Sequence, residues 1–585
     1  MDEGDETRAE WGSDVMARAL RESGVAWVFL NPGSSFRGLH DSLVNHLGDE
    51  RPKMALATHE MLAVAMAHGY AKATGEMGVA ILHNLVGLMN GSMSVFNAFC
   101  DQTPLLLLGG SGPADPAQRR FIDWAHSANT QGDLVRPYVK WTDEPATLEG
   151  ALDSMLRAGR IARTGPKGPA YVSLDAGLQE QVLEAALPTG ADLPRYAPPA
   201  PLAPEADAVE RVAKALLEAE RPLIVCGRLG IEPRATDPLR RLVEASGAAY
   251  LDDRCTVCLA TEHRQNLNGD KTIRAEADLI LAIDVHDLTL ATKGYGVGRS
   301  HIMGTGAGSE AARVIDVSLN TYFGNSWSRF GGPTPPLDDE IVADPLTTLG
   351  ALADAVERIG GDRARIDARI GELARRHEAV HAKARERLET RWSESPISME
   401  RLTHEVYQAV RQEEWRLVVR NHRSWRDGYW AFSGAGDYLG GDGGGGVGYG
   451  PGAAVGAAIG LKDSGVLPVA ILGDGDFMMG PGAIWTAAQH QAPLLMVIMN
   501  NRSWGNDELH QREIAHQRGR DISRAHVGQR TAEPDADLAA VARGFGAWAA
   551  GPIVDPDALA PALQEALTQV KEGRVAVVEV IAALE

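Results

Sequence analysis

Cysteine is scarce in this chain. Four residues in 585 cannot supply a disulfide framework, and Cys255 and Cys258 form a lone CxxC with no second pair nearby to complete a zinc site. Two buried or half-buried thiols are expected there. Basic residues are outnumbered, and the net charge of -21, with no long Lys/Arg cluster, argues against a nucleic-acid or anionic-membrane partner. Long apolar runs are missing too: stretches such as Leu494 to Met499 have strand length, well short of the ~20 residues a membrane helix needs. The opening MDEGDETRAEW is acidic and lacks the basic-then-apolar order of a signal peptide, so a cytoplasmic location is expected.

What is present is a long chain of ordinary apolar content. At 585 residues and 44% apolar it exceeds one core and can fill about three domains of usual size. From about Trp11 to Ala185, helices alternate with the short apolar strands VAWVFL, MALAT, GVAILH, PLLLLGG and PAYVSL, which predicts a parallel, doubly wound sheet. Ligands in such sheets sit beyond the strand carboxyl ends. The junctions to inspect are therefore Asn31-Pro32-Gly33-Ser34, His59-Glu60, His83-Asn84 and Gly109-Gly110.

A Leu/Pro/Ala-rich stretch from about Gln179 to Pro204 reads as an extended linker. A second α/β segment follows, to about Leu349. Its CGRLG lacks the GxGxxG spacing, so nicotinamide binding there is not favoured. Asp354 to Thr390 interleaves Arg and Glu and reads as a solvated connecting helix. The last segment opens with the strand RLVVR, whose exit is Asn421-His422. The expected boundaries are 1–185, 200–350, 354–392 for the connecting helix, and 395–585.

The last segment holds the most specific pattern. Val469 to Asn501 reads as a strand entering Gly473-Asp474-Gly475, an apolar-periodic helix, then a second strand ending at Asn500-Asn501. A right-handed crossover makes these strands parallel neighbours, so Asp474 and Asn501 lie at carboxyl ends about 5 Å apart. A carboxylate and an amide oxygen so placed can share a hard cation such as Mg²⁺ and leave positions for phosphate oxygens. The glycines admit a phosphate closely, and the amides opening the helix after Asp476 favour an anion.

GDG, the 27 residues from Asp474 to Asn501, and the closing NN resemble the diphosphate-binding motif of thiamine diphosphate-dependent enzymes. The resemblance implies a fold of three doubly wound parallel-sheet α/β domains: pyrimidine-binding, central and diphosphate-binding. It makes Asp474, the Asn501 side chain and the Ser503 carbonyl ligands of Mg²⁺, with Gly473, Gly475, Asp476, Asn421 and His422 around the diphosphate. Gly440 to Gly456 resembles the glycine-rich loop that bends the cofactor. Val447 would be the wedge between its rings, and the Gly445 carbonyl would accept from the 4′-amino group. THEMLAVAMAHGYAKATG resembles the segment whose glutamate, here Glu60, hydrogen-bonds the aminopyrimidine and promotes its imino form. That chemistry needs a carboxyl group in an apolar, water-poor pocket. Asn90 would be a further cofactor contact.

NPGSS and LHNLVGLMN are similar to segments of benzoylformate decarboxylase, whereas acetolactate synthases typically have a threonine-serine pair where His83 stands. The likeness implies that Ser34 binds a substrate carboxylate and that His83 relays protons. His286 could act as a second histidine. Asp507 falls near the position of an active-site glutamate of pyruvate decarboxylases; the alternative is that it caps a helix. The implied activity is decarboxylation of a 2-oxo acid through an enamine protonated to an aldehyde; the alternative is acetolactate synthase-like carboligation. Cofactors would be thiamine diphosphate and Mg²⁺, with FAD in the central domain not favoured. The partner would be a second copy of the chain, in a homodimer or homotetramer with active sites at subunit interfaces.

Overall fold

The computed structural model describes residues 9–584 except 185–192, 254–255, 295–307, 309–310, 323–332, 334, 421–427 and 442. Among the described residues sixteen strands form three sheets, and every pairing in them is parallel. The first comprises β1 (Trp27–Leu30), β2 (Lys53–Leu56), β3 (Gly78–Leu82), β4 (Leu105–Ser111), β5 (Trp141–Asp143) and β6 (Ala170–Asp175), in the order 2-1-3-4-6-5. The second comprises β7 (Pro222–Cys226), β8 (Ala249–Asp252), β9 (Leu279–Ile283), β10 (Arg313–Ser318) and β11 (Asp339–Val342), in the order 11-10-9-7-8. The third comprises β12 (Trp415–Val419), β13 (Leu467–Gly473), β14 (Leu494–Asn500), β15 (Trp548–Ile553) and β16 (Val575–Ile581), in the order 12-13-14-16-15. The expected class, three parallel α/β domains, is what the chain adopts.

The central strands are near-continuous apolar runs because helices cover both faces of a parallel sheet. All seven residues of β14, for example, are buried. In the first sheet the chain runs from β1 outward to β2 and returns on the other side of β1 as β3. The carboxyl ends of β1 and β3 therefore flank a crevice, the usual ligand position in such sheets.

Two compact units divide the chain, one of residues 1–200, 442–463 and 480–492, the other of 201–441, 464–479 and 493–585. Within the first, the helix Glu60–Thr74 lies directly against the helix Tyr449–Leu461. Their sequences make that approach possible: a Cβ on Gly69 would collide with the carbonyl of Ala453, and one on Gly456 with the carbonyl of Met66. Gly456→Val should therefore cost about 1–3 kcal/mol, the range for overpacking a filled interface, read as a fall in the denaturant midpoint.

Several local expectations are corrected. The helix expected after Asp476 starts at Asp474, and the single helix expected before β14 is two, Asp474–Met479 and Ala483–Gln489. Pro481 in the break has no N–H to continue the ladder. Gly109 and Gly110 lie inside β4, not beyond it. The charged stretch from Asp354 is also two helices, Pro345–Ile359 and Arg363–Arg391, and the second is not wholly solvated, since Ile366, Ile370, Leu373 and His377 form a buried stripe. Cys258 is buried and donates its thiol to the Gly227 carbonyl at 3.3 Å, as expected of a structural thiol; Cys255 lies outside the described residues. No helix among the described residues is long and apolar enough to cross a membrane.

Candidate active site

In the first unit, three strand exits converge. Beyond β1, Ser35 Oγ lies 3.0 Å from His83 Nδ1, and the same hydroxyl accepts the Asn84 N–H at 3.2 Å. On the far side of the ring, His83 Nε2 meets His126 Nδ1 at 3.0 Å. Ser35 is fully buried, while His83 and His126 are half-buried, so the three form a line from the interior outward. Burial and the neighbouring His126 hold His83 below its ordinary value, although Glu60 and Asp123 pull the other way. The ring is accordingly neutral at pH 7.

Glu60 opens its helix after β2, where the positive end of the helix dipole favours a carboxylate. The side chain is 7% exposed, and its Oε2 accepts from Asn90 Nδ2 at 3.1 Å. The carboxylate and His83 face the same spot. A Cβ added at Gly87 would lie 3.3 Å from Glu60 Oε1 and 3.2 Å from His83 Cβ. The glycine-rich loop is held against the helix Asn84–Cys100 by a reciprocal pair: Asn97 Nδ2 donates to the Gly446 carbonyl at 3.3 Å and Gly446 N–H donates to Asn97 Oδ1 at 3.2 Å. Gly445, at φ +70°, occupies the left-handed region that suits glycine. Val447 is 42% exposed, an apolar side chain held in the open by a fixed loop.

In the second unit, β13 and β14 pair with Gly473 opposite Met499, which brings Asp474 level with the exit of β14. Asp474 is buried, accepts from Thr531 Oγ1 at 3.1 Å, and is pushed up to about 6 by burial despite that bond and the amides of Gly475 and Ser503. Asn501 Oδ1 accepts the Ser503 N–H at 3.0 Å. Asn500, its neighbour, points elsewhere, donating to buried Glu579 at 2.7 Å. Trp504 stands over Gly475, whose missing Cβ would come within 2.9 Å of the indole. A buried carboxylate short of compensating charge, one residue from two glycine amides and reached by the 501–503 turn, fits a hard cation carrying phosphate. The exposed Val447 beside Gly445 and the buried Glu60 fit a heteroaromatic ring pair.

The other expected residues fall as follows. Ser34 is half-buried in the short helix Ser34–Phe36, and its neighbour Ser35, which the sequence reading passed over, makes the histidine contact. His126 was also passed over. Asp476 is half-buried in the first turn after β13. His286 is fastened to buried Asp253, through its backbone N–H at 2.6 Å and Nδ1 at 3.1 Å. Asp507 is exposed in the first turn of the helix Gly505–Gln517. Glu508 beside it is buried among Ser503, Arg512 and Arg530; burial alone would raise it, but those donors hold it below the ordinary value. Asn421 and His422 lie outside the described residues.

Two family models match the chain: the N-terminal TPP binding domain of thiamine pyrophosphate enzymes over residues 10–131, and the C-terminal TPP binding domain over 419–580. The large subunit of acetolactate synthase isozyme 3 from Escherichia coli is 24% identical, over 97% of this chain and 94% of its own length. Sulfoacetaldehyde acetyltransferase from Rhodobacter capsulatus is 25% identical over 66% of this chain, which spans 60% of that relative's length. The crystal structure of benzoylformate decarboxylase from Polynucleobacter necessarius superposes with a TM-score of 0.76 at 18% identity, covering 99% of each chain.

Proposed function

Because the chain belongs to the thiamine diphosphate-dependent enzymes, within the decarboxylase and acetolactate synthase superfamily, we propose that it decarboxylates a 2-oxo acid to an aldehyde and CO₂. When bound, thiamine diphosphate supplies a carbanion for addition to the keto carbon and a cationic ring that takes up the electrons as CO₂ leaves. Asp474, Asn501 and the Ser503 carbonyl would hold its Mg²⁺, with Gly473, Gly475 and Asp476 at the diphosphate. Gly445 and Val447 would seat the rings, and Glu60 would hold a proton at the pyrimidine.

The observation that carries this reading is the Ser35–His83–His126 line beside Glu60. Conversion of a 2-oxo carboxylate to an aldehyde consumes one proton at the carbon that loses CO₂. A neutral histidine with a hydrogen-bonded partner on each nitrogen can deliver that proton from the solvent side, His126, and be recharged. Ser34, half-buried at the β1 exit, offers its hydroxyl to the substrate carboxylate. Protein loaded with Mg²⁺ and thiamine diphosphate should release CO₂ from at least one acid in a panel of aliphatic and aromatic 2-oxo acids; silence across the panel would sink the proposal. A second reading, joining of the decarboxylated fragment to another carbonyl compound, is favoured by the near-full-length similarity to an acetolactate synthase. Product analysis for hydroxyketones against aldehydes separates the two.

We further propose that the working form is a cytoplasmic homodimer or homotetramer, with the pyrimidine-binding part at 1–185, a central domain at 200–350, a connecting helix at 354–392 and the diphosphate-binding part at 395–585.

The relay makes a pH prediction. His83 must be neutral to recycle, and its pKa lies below the ordinary 6.5, so turnover should fall on the acid side with a midpoint under that value. His126→Gln removes a neighbour that pushes the value down, so the acid limb should move up. A pH-rate profile for the variant that superimposes on the unmodified one would remove His126 from the relay.

A further inference from the structure

The buried stripe on the helix Arg363–Arg391 ends in two histidines. His377 and His381 are one helical turn apart and so share a face, their ring centroids 4.2 Å apart. Glu262, on the loop that follows β8, closes the group: one donor atom from each of the three side chains lies within 4.8 Å of the others. All three belong to the second unit, and none is used by the cofactor site.

Two further observations show that this place is built. His377 Nδ1 donates to the Asn266 carbonyl at 2.8 Å, at a residue only 8% exposed. A carbonyl only accepts, so Nδ1 is the donor and Nε2 is the nitrogen left for a ligand. That is the arrangement by which metal-ligating histidines are oriented through their second nitrogen. The loop bearing Glu262 is itself fixed. Gln265 Nε2 donates to the Val243 and Ala248 carbonyls at 2.8 Å each, and Asn266 Nδ2 donates to the Leu259 and Ala260 carbonyls at 3.3 and 3.1 Å. His381, one turn further along the same face, is half-buried.

We propose that Glu262, His377 and His381 bind a divalent transition-metal ion of the zinc class, with water completing the coordination. Two imidazoles and a carboxylate with one open position are a zinc-type ligand set, whereas Mg²⁺ prefers oxygen ligands. Tetrahedral bonds of about 2.0–2.1 Å need donor atoms about 3.4 Å apart. The donor atoms already lie within 4.8 Å of one another, and the exposed Glu262 side chain is the member of the three least enclosed by packing, so side-chain rotation can close the remainder. The bound ion ties the long helix to the β8 loop by a link other than apolar packing.

The test uses the full chain, stripped with chelator and then saturated with Mg²⁺ and thiamine diphosphate so that the cofactor site is occupied. Zn²⁺ titrated calorimetrically should bind at one equivalent and raise the melting temperature, and Co²⁺ should give the visible absorption of a low-symmetry, nitrogen-ligated site. Loss of a supporting group around a metal typically costs 10–100-fold in affinity, so His381→Ala should lose at least about 100-fold. Glu262→Gln, a change at an exposed loop position, should weaken Zn²⁺ binding while leaving folding and turnover as they were. If the unmodified chain takes up no Zn²⁺, or if Glu262→Gln and His381→Ala bind it as tightly as the unmodified chain, the site does not exist.

Discussion

Glu60→Gln should lower kcat by about 10²–10⁴-fold, the contribution of a positioned proton-transfer group, while the protein still binds thiamine diphosphate and Mg²⁺. The two side chains match in shape, and glutamine retains a carbonyl oxygen able to accept from Asn90 Nδ2, so the 3.1 Å contact can survive. What is lost is the ability to hold and release a proton at a buried position that is only 7% exposed. The competing explanation is that Glu60 serves the first turn of its helix, and the two differ in what they move. A carboxylate at a helix start is worth about 0.3–1 kcal/mol, which would appear as a small drop in the melting temperature with turnover intact. Near-normal turnover in Glu60→Gln would remove the residue from the chemistry and leave it that structural role alone.

How far the sequence could carry this depended on whether a feature is local. β13 and β14 are apolar runs whose burial any parallel sheet requires, and the interval from Asp474 to Asn501 is set by one crossover, so both were legible. Glu60 was legible because it stands between a strand exit and an alanine-rich helix. The start of the helix after β13 was misplaced because Gly-Asp-Gly has the composition of a turn, although the fold winds Asp474 and Gly475 directly into a helix. Ser35 and His126 were missed for a different reason. They meet His83 from 48 and 43 residues away, across neighbouring strand exits, and no periodicity encodes such a meeting. His377 was hidden by its own helix. A stretch dominated by Arg and Glu reads as solvated, and the stripe of Ile366, Ile370, Leu373 and His377 shows only when helical spacing is traced through the charges.

Asp474→Asn should separate loading of the cofactor from integrity of the fold. Asparagine has nearly the same volume, and its carbonyl oxygen can keep the 3.1 Å bond from Thr531, so the protein without cofactor should melt close to the unmodified chain. The change removes the one anionic group among Asp474, Asn501 and the Ser503 carbonyl. Affinity for a hard cation varies over orders of magnitude with ligand charge, so loading should weaken on the order of 100-fold. With cofactor at a hundred times its Kd, the unmodified protein gains about 2.7 kcal/mol of stability; a 100-fold weaker variant under the same conditions gains only about 0.4 kcal/mol. The readout is the cofactor-dependent rise in melting temperature, large in one protein and nearly absent in the other. An undiminished rise in Asp474→Asn would place the metal elsewhere, and a collapse without cofactor would mean that the carboxylate is structural. Glu60→Gln should show the reverse pattern, full loading with little turnover.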